Sequence, residues 1–554
     1  MRGFRRRRGT LVLALLGTLV VTAALSWPAA AKAQPRLLVS DVSRVSDDEQ
    51  LLFAALQGLV NRPALRKDPR RPPRIYLVGL RNGGDRTADP TAETWLRDIV
   101  PLPTLRVSPY SLLQRFRSKA RGLVVWDPAL AIDTQNVATT MAGLRDLLPV
   151  SPALAQKLER APYRLPVAAD LRQQHFRSRE QAYDWALTHL GPPRRFGLLA
   201  WLGYRGGRAG QHGIRDLVVA RRGFAFEADP KQEWQLATRI LDSFPYGTPV
   251  FGYPFFDESI YHDYGVPVNE PLGVGEISRS GKFLIPSTNS TNLTVHSWFR
   301  AQPVHTRWED QPRPADPRKT YVAFLISDGD NIGYVEGSLR TRHFDDPARG
   351  SIPMGISISP WLQVYAPQMY GYYVHALSPN DVLVSGPSGA GYVYPTEDPD
   401  LDRYLQTTRR LIRLAGLHSV WILDNGYATS PPAVTVERYV EALRPAAIFA
   451  DYGGYFVPNP PPVSFQGGVP VVHAMWGDAI PPGGEDPVAA TVRRVRLAAE
   501  TFPGRPAFVL VALNTWTMGY SQAKAVMQRL GPSYEVVRPD HFAGLLKGAY
   551  PIRP

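Results

Sequence analysis

The strongest constraint on this chain is the rhythm of its second half. Apolar runs at Tyr321–Ser327, Met354–Ser359, Asp381–Ser385, Ser419–Leu423, Ala446–Ala450, Pro470–Ala474, Ala507–Leu513 and Tyr534–Val537 read as short strands. Helical patterns follow most of them, at Gln363–Leu377, Leu401–Ala415, Val436–Leu443, Pro487–Phe502, Ser521–Leu530 and Phe542–Lys547. The proline-rich connection from Gly453 to Gly468 clearly lacks one. Eight strands alternating with helices in about 235 residues is the size and rhythm of a (β/α)8-like barrel, with a seven-stranded barrel as the close alternative.

The first half also alternates strand-like runs (Arg36–Ser40, Arg74–Gly79, Gly122–Asp127) with helical stretches around Ser46–Leu59, Thr91–Ile99 and Asn136–Leu148. It therefore reads as an α/β N-terminal region of one or more small domains, spanning residues 34–310. The segment Gln311–Lys319 looks like a linker, and the barrel domain is set at residues 320–554. No G-x-G-x-x-G follows the first strand and there is no P-loop; the glycine-rich Gly203–Arg208 lacks the helix that should follow it. Nucleotide binding is thus disfavoured.

Residues 1–33 read as a signal peptide. Arg2 and Arg5 to Arg8 precede the apolar Leu11–Leu25, which is shorter than the roughly 20 residues of a spanning helix. Ala31-Lys32-Ala33 offers a cleavage site before Gln34. The expected location is secreted, periplasmic or cell-surface, with no membrane contact after cleavage. There is no cysteine, so no disulfide or lipid anchor on sulfur supports the fold. The first 33 residues carry six of the 14 net positive charges, and the remaining arginines are scattered beside prolines. With no basic run interleaved with aromatics, nucleic acid is not an expected partner.

Polar residues gather where the barrel strands end. Ser327-Asp328-Gly329-Asp330-Asn331 follows the first strand, Ser359-Pro360-Trp361 the second, and Asp424-Asn425-Gly426 the fourth. Asp451, Trp476-Gly477-Asp478, Asn514-Thr515-Trp516 and Asp540-His541 follow later ones. In a barrel these ends share one face, where active sites lie. Asp424-Asn425-Gly426 is equally a turn signal, Asp540 equally a helix cap, and the tryptophans equally a cover for the barrel top. Paired carboxylates with aromatic platforms are what glycoside cleavage needs. The expected catalytic carboxylates are Asp328 and Asp424, with Asp330, Asp451 and Asp478 in reserve. Tyr392, Tyr394, Trp361, Trp476, Asn331, Asn425, Glu258 and His541 are expected to bind substrate. No metal ligand set is assigned and no cofactor is expected, although Asp328 and Asp330 offer oxygens that suit a divalent cation.

The third strand runs into Gly389-Ala390-Gly391-Tyr392-Val393-Tyr394-Pro395, a G-x-G-Y-x-Y-P sequence preceded by Gly386-Pro387-Ser388. This resembles the signature of the GxGYxYP family, for which glycoside hydrolysis is the expected activity. Ser327–Asn331, Ser359-Pro360 and Arg538–Phe542 are similar to that family's C-terminal domain; Leu56–Arg62, Asn136–Leu144 and Asn292–His296 are similar to its N-terminal region. The resemblance implies a secreted hydrolase acting on carbohydrate, but the family has no established catalytic residues to carry over. Metal-assisted polysaccharide deacetylation and non-catalytic glycan binding are the alternatives.

Overall fold

A computed structural model of the protein describes residues 36–81, 91–192, 195–202, 212–254, 269–424, 430–451, 453–456, 461–477 and 484–550. Residues 36–554 cluster as one compact unit. Three small parallel sheets come first. β1 (Leu37–Asp41) lies between β2 (Ile75–Val78) and β3 (Thr104–Arg106). β4 (Gly122–Val125) lies between β5 (Leu147–Val150) and β6 (Val167–Asp170). β7 (Leu199–Leu202), β8 (Phe224–Phe226), β9 (Pro249–Tyr253) and β10 (Phe283–Pro286) form the third, in the order β10-β9-β7-β8.

One expected boundary shifts here, and one short apolar run takes its state from the fold. The helix read over Asn136–Leu148 runs from Ala131 to Arg145 and stops where Asp146 takes φ 58°, after which Leu147 starts β5. The apolar run Leu217–Ala220 belongs to a helix, Arg215–Arg221, which is buried from Arg215 to Ala220. A short, wholly apolar run carries no periodicity that could separate the two states.

The family-like segments of this region have a structural explanation. The amide of Asn292 exchanges two 2.8 Å bonds with the backbone of Leu77, as a neighbouring strand would. Gln57 donates to Asn292 Oδ1 at 2.7 Å, and Asn61 donates to Thr294 Oγ1 at 3.1 Å. These buried amides satisfy backbone that no strand reaches.

The second half closes into a seven-stranded parallel barrel. Its ring is β11 (Thr320–Ile326), β12 (Met354–Ile358), β13 (Asp381–Ser385), β14 (Val420–Ile422), β15 (Ile448–Ala450), β17 (Val469–Trp476) and β18 (Ala507–Leu513), returning to β11. β16 (Val463–Gln466) is an antiparallel addition to β17 within the proline-rich connection. The eighth expected strand is present as β19 (Tyr534–Val536), outside the ring. One edge of β11 is taken along its whole length by β18. The other is divided: Thr320–Val322 pair with β19, and Leu325–Ile326 pair with β12. β19 is therefore a wedge beside the N-terminal half of β11, and β12 closes the C-terminal half.

The segment expected as a linker is tied down. Arg313 N–H donates to Gly544 O at 3.0 Å, and a Cβ at Gly548 would overlap the Arg313 carbonyl. The last helix, Pro539–Ala549, thus packs against the entry to β11. Among the described residues no helix is long and apolar enough to cross a membrane.

Candidate active site

The end of β11 brings two carboxylates together. Asp328 takes φ 63°, a left-handed conformation that Asp tolerates better than most residues, and the chain turns there. Gly329 follows because a Cβ would overlap the Ser357 carbonyl of β12; its N–H donates to Ser357 Oγ at 2.8 Å. The short β11–β12 closure thus requires a glycine between the two acids. Asn331 then caps the helix Ile332–Glu336, its Oδ1 accepting from Tyr334 N–H at 3.0 Å. That cap accounts for the Asn331 side chain.

Asp330 is buried, and its carboxyl is pushed well above the usual range by burial, then by the charges of Asp328 and Glu270. Asp328 is half-buried; burial raises it too, opposed by hydrogen bonds from Ser327 and Trp516. The Trp516 indole Nε1 donates to Asp328 Oδ2 at 2.7 Å. Trp516 is 47% exposed and meets Tyr334 edge-on at 5.6 Å, so its ring stands open to solvent beside the acid. Among the described residues neither Asp328 nor Asp330 is ion-paired with an arginine or lysine.

The glycine–tyrosine turn after β13 backs this pair. A Cβ at Gly386 would lie 2.6 Å from Asp330 N. One at Gly391, where φ is 155°, would lie 2.6 Å from Leu284 O. That approach lets Tyr392 exchange backbone hydrogen bonds of 2.8 and 2.9 Å with Leu284 of β10. Tyr394 N–H donates to Ser278 Oγ at 2.9 Å, on the helix Asn269–Arg279. Tyr392 is 4% exposed and Tyr394 1%, their rings meeting edge-on at 5.7 Å. Trp361, 8% exposed, donates its indole N–H to Ala390 O and stacks on Phe283 at 6.0 Å. These three rings join barrel to N-terminal region, and their burial leaves no open face for a sugar. Trp476 is buried as well, at 6%.

The remaining expected residues lie elsewhere. Asp424 is buried and accepts from Thr396 N–H at 3.1 Å and from Thr396 Oγ1, so its carboxylate anchors the turn that follows the tyrosines. Asp451 is buried against His473. His541 is not at this mouth. β19 reaches only half-way along β11, and Arg538 beside His541 donates to the carbonyl of Pro379, which precedes β13. His541 therefore belongs to the opposite, N-terminal end of the barrel. Glu258, Asn425 and Asp478 lie outside the described residues.

Two residues join the site without having been assigned to it. Glu270 opens the helix Asn269–Arg279 and acts on both Asp330 and Tyr394. In sequence it is an acid in a first helical turn, where the helix dipole alone explains it. Trp516 reads from sequence as a cover for the barrel top; the signal was its position three residues after the end of β18.

Three family profiles match the chain: the "GxGYxYP putative glycoside hydrolase C-terminal domain" over residues 318–547, the "GxGYxYP third domain" over 200–298 and the "GxGYxYP_N second domain" over 120–193. A crystal structure of a putative hydrolase from Bacteroides thetaiotaomicron VPI-5482 is similar at a TM-score of 0.75 and 22% identity. The match covers 92% of this chain and 94% of that one, and it shows a shared fold. No curated protein matches this chain.

Proposed function

Since the chain belongs to the GxGYxYP family, we propose that it hydrolyses glycosidic bonds of a poly- or oligosaccharide at the C-terminal mouth of the barrel. The observation that carries this reading is the unequal pair Asp330 and Asp328. Burial and two neighbouring negative charges hold the Asp330 proton well above the ordinary carboxylate range. Asp328 is the better anion of the two, because the Trp516 indole N–H stabilises its charge. Two carboxyls whose environments differ in this way divide into acid and base.

In this mechanism Asp330 protonates the leaving glycosidic oxygen as the bond to the anomeric carbon breaks. Asp328 either attacks that carbon or takes a proton from the water that does. In the first case Asp330, now a carboxylate, deprotonates the water that releases the sugar. Trp516 offers an exposed flat face on which a sugar ring can stack. Glu270 keeps Asp330 protonated, and Asp424 holds the turn behind it. Carbohydrate is the proposed partner, and export by the N-terminal signal would bring the enzyme to such polymers outside the cytoplasm. No cofactor is proposed. A divalent cation on Asp328 and Asp330 would need a further ligand, and among the described residues no three His, Cys, Asp or Glu are grouped to hold one.

The test is a glycan panel run with the mature chain and with Asp330→Asn and Asp328→Asn, with and without chelator. Both variants should lose turnover of natural glycans. Asp330→Asn should keep much more activity on aryl glycosides with an acidic phenol leaving group, which needs no proton. Full turnover in both variants overturns the assignment, and chelator-sensitive acetate release would replace it with deacetylation. N-terminal sequencing of exported protein should begin at Gln34.

A further inference from the structure

A second polar cluster stands apart from the Asp328–Asp330 pair, against the helix that follows β14. His473 of β17 and Asp451 after β15 are both buried, and His473 Nδ1 lies 2.7 Å from Asp451 Oδ2. Asp451 reaches it by taking φ 50° at the strand end. Ser430 Oγ lies 3.2 Å from each of those atoms. Because serine and aspartate meet the same ring nitrogen, Ser430 is not placed as a nucleophile, which would need Nε2. Nδ1 is committed to Asp451, and among the described residues no hydrogen bond engages Nε2.

His473 lines a pocket of about 170 Å³. Ser430, Ser464, Gln466 and His473 give it hydrogen-bonding groups, while Pro432 and Val436 give it an apolar side. None of these residues belongs to the Asp328–Asp330 cluster. The space is roughly ten times or more the minimum that one water needs and is on the scale of one sugar ring, with its mouth open to solvent. One apolar wall facing several hydroxyl-matching groups suits the C–H face and hydroxyl edge of a pyranose.

We propose that this pocket is a second binding site, taking a single neutral hexose ring. His473 Nε2 accepts or donates to a sugar hydroxyl, and Asp451 is the positioning residue that fixes the imidazole. Ser464 and Gln466, on the antiparallel β16, bind further hydroxyls. β16 is thereby given a purpose: it extends the barrel wall beside β17 and adds Ser464 and Gln466 to the pocket that His473 lines.

The test is calorimetric titration of the full chain with glucose, galactose and N-acetylglucosamine, repeated with His473→Gln, Gln466→Trp and Asp328→Asn. One of the sugars should bind with Kd of about 1 mM. His473→Gln and Gln466→Trp should each weaken it at least about tenfold, and Asp328→Asn should leave it unchanged. If His473→Gln does not fold, Gln466→Trp decides, since it fills the pocket from a half-exposed edge strand. The matching disaccharides separate a chain end, which binds in both forms, from a free product, which binds only as the single sugar. No binding of any sugar, unchanged binding in the pocket variants, or loss only in Asp328→Asn overturns the proposal.

Discussion

The two ends of the barrel carry clusters that look alike in sequence and differ in how their charges are met. At the N-terminal end Asp540 is fully buried and accepts from Arg538 Nε and Nη2 at 3.0 and 2.9 Å. It also accepts backbone N–H bonds from Glu309 at 2.8 Å and His541 at 2.9 Å. Glu309 in turn meets both Arg538 and His541 at 3.1 Å. Every charge there has a partner. At the C-terminal end Asp330 faces the charges of Asp328 and Glu270, while Asp328 is met by hydrogen bonds from Ser327 and Trp516, and neither has an ion-paired cation among the described residues. A cluster that satisfies itself holds a fold together; one that leaves a carboxyl protonated and an anion poised is equipped for proton transfer.

The sharpest way to break this contrast is to remove one charge from each end. Asp330→Asn and Asp328→Asn should each lower kcat/KM by about 10²–10⁴-fold on natural glycans, the usual worth of a general acid or base. Neither should lower Tm, because burial raises both carboxyls, neither acid has an ion-paired cation among the described residues, and the amide replacing Asp328 keeps an oxygen that accepts from Trp516. Arg538→Ala should do the reverse. It leaves Asp540 buried without its cation, at a cost of about 3–5 kcal/mol, read as a fall in Tm or in the denaturant midpoint. The folded fraction should keep its kcat. Loss of stability in Asp330→Asn equal to that in Arg538→Ala would erase the distinction.

A pH series sharpens it further. Burial, with Asp328 and Glu270, raises the Asp330 carboxyl in the folded protein well above its ordinary value of 3.8. The folded state therefore holds this proton more tightly than the unfolded chain. The stability it contributes is complete below that value and is lost as pH rises through the raised folded one. Wild-type Tm should fall relative to Asp330→Asn as pH climbs above about 4. A difference that stays flat from acid to neutral pH would mean the carboxyl is not perturbed.

The strands were legible because apolar runs ending in Gly, Asp or Trp recur at regular spacing; β13 and β18 match their sequence-predicted bounds. Closure at seven was legible only as the close alternative to eight, since the half-length pairing of β19 with β11 that decides between them depends on tertiary register. The acids after β11 were legible as strand-end carboxylates. Asp424 looked equivalent, and its bonds with Thr396, 28 residues before it, show that both its oxygens are occupied. The tyrosines of the glycine-rich turn looked like a sugar platform because tyrosine serves equally at surfaces and in cores. What buries them is β10, more than a hundred residues upstream, which no local pattern announces. Their turn thus shapes the site from behind, by placing Gly386 against Asp330.

The smallest predicted effect tests whether Trp516 belongs with the chemistry or only covers the barrel. Trp516→Phe keeps the ring that meets Tyr334 but removes the N–H that donates to Asp328. A hydrogen bond to a carboxylate is worth about 1.5 kcal/mol, so kcat/KM should fall roughly tenfold. Losing a donor to the anion raises the Asp328 carboxyl, and the acidic limb of the rate profile should therefore move to higher pH. KM should change little in Trp516→Phe and rise in Trp516→Ala, which removes the stacking face. His541→Gln, at the other end, should move neither limb. If Trp516→Phe leaves the limb in place while Trp516→Ala raises KM, the indole serves substrate alone, and the asymmetry between Asp328 and Asp330 must come from burial by itself.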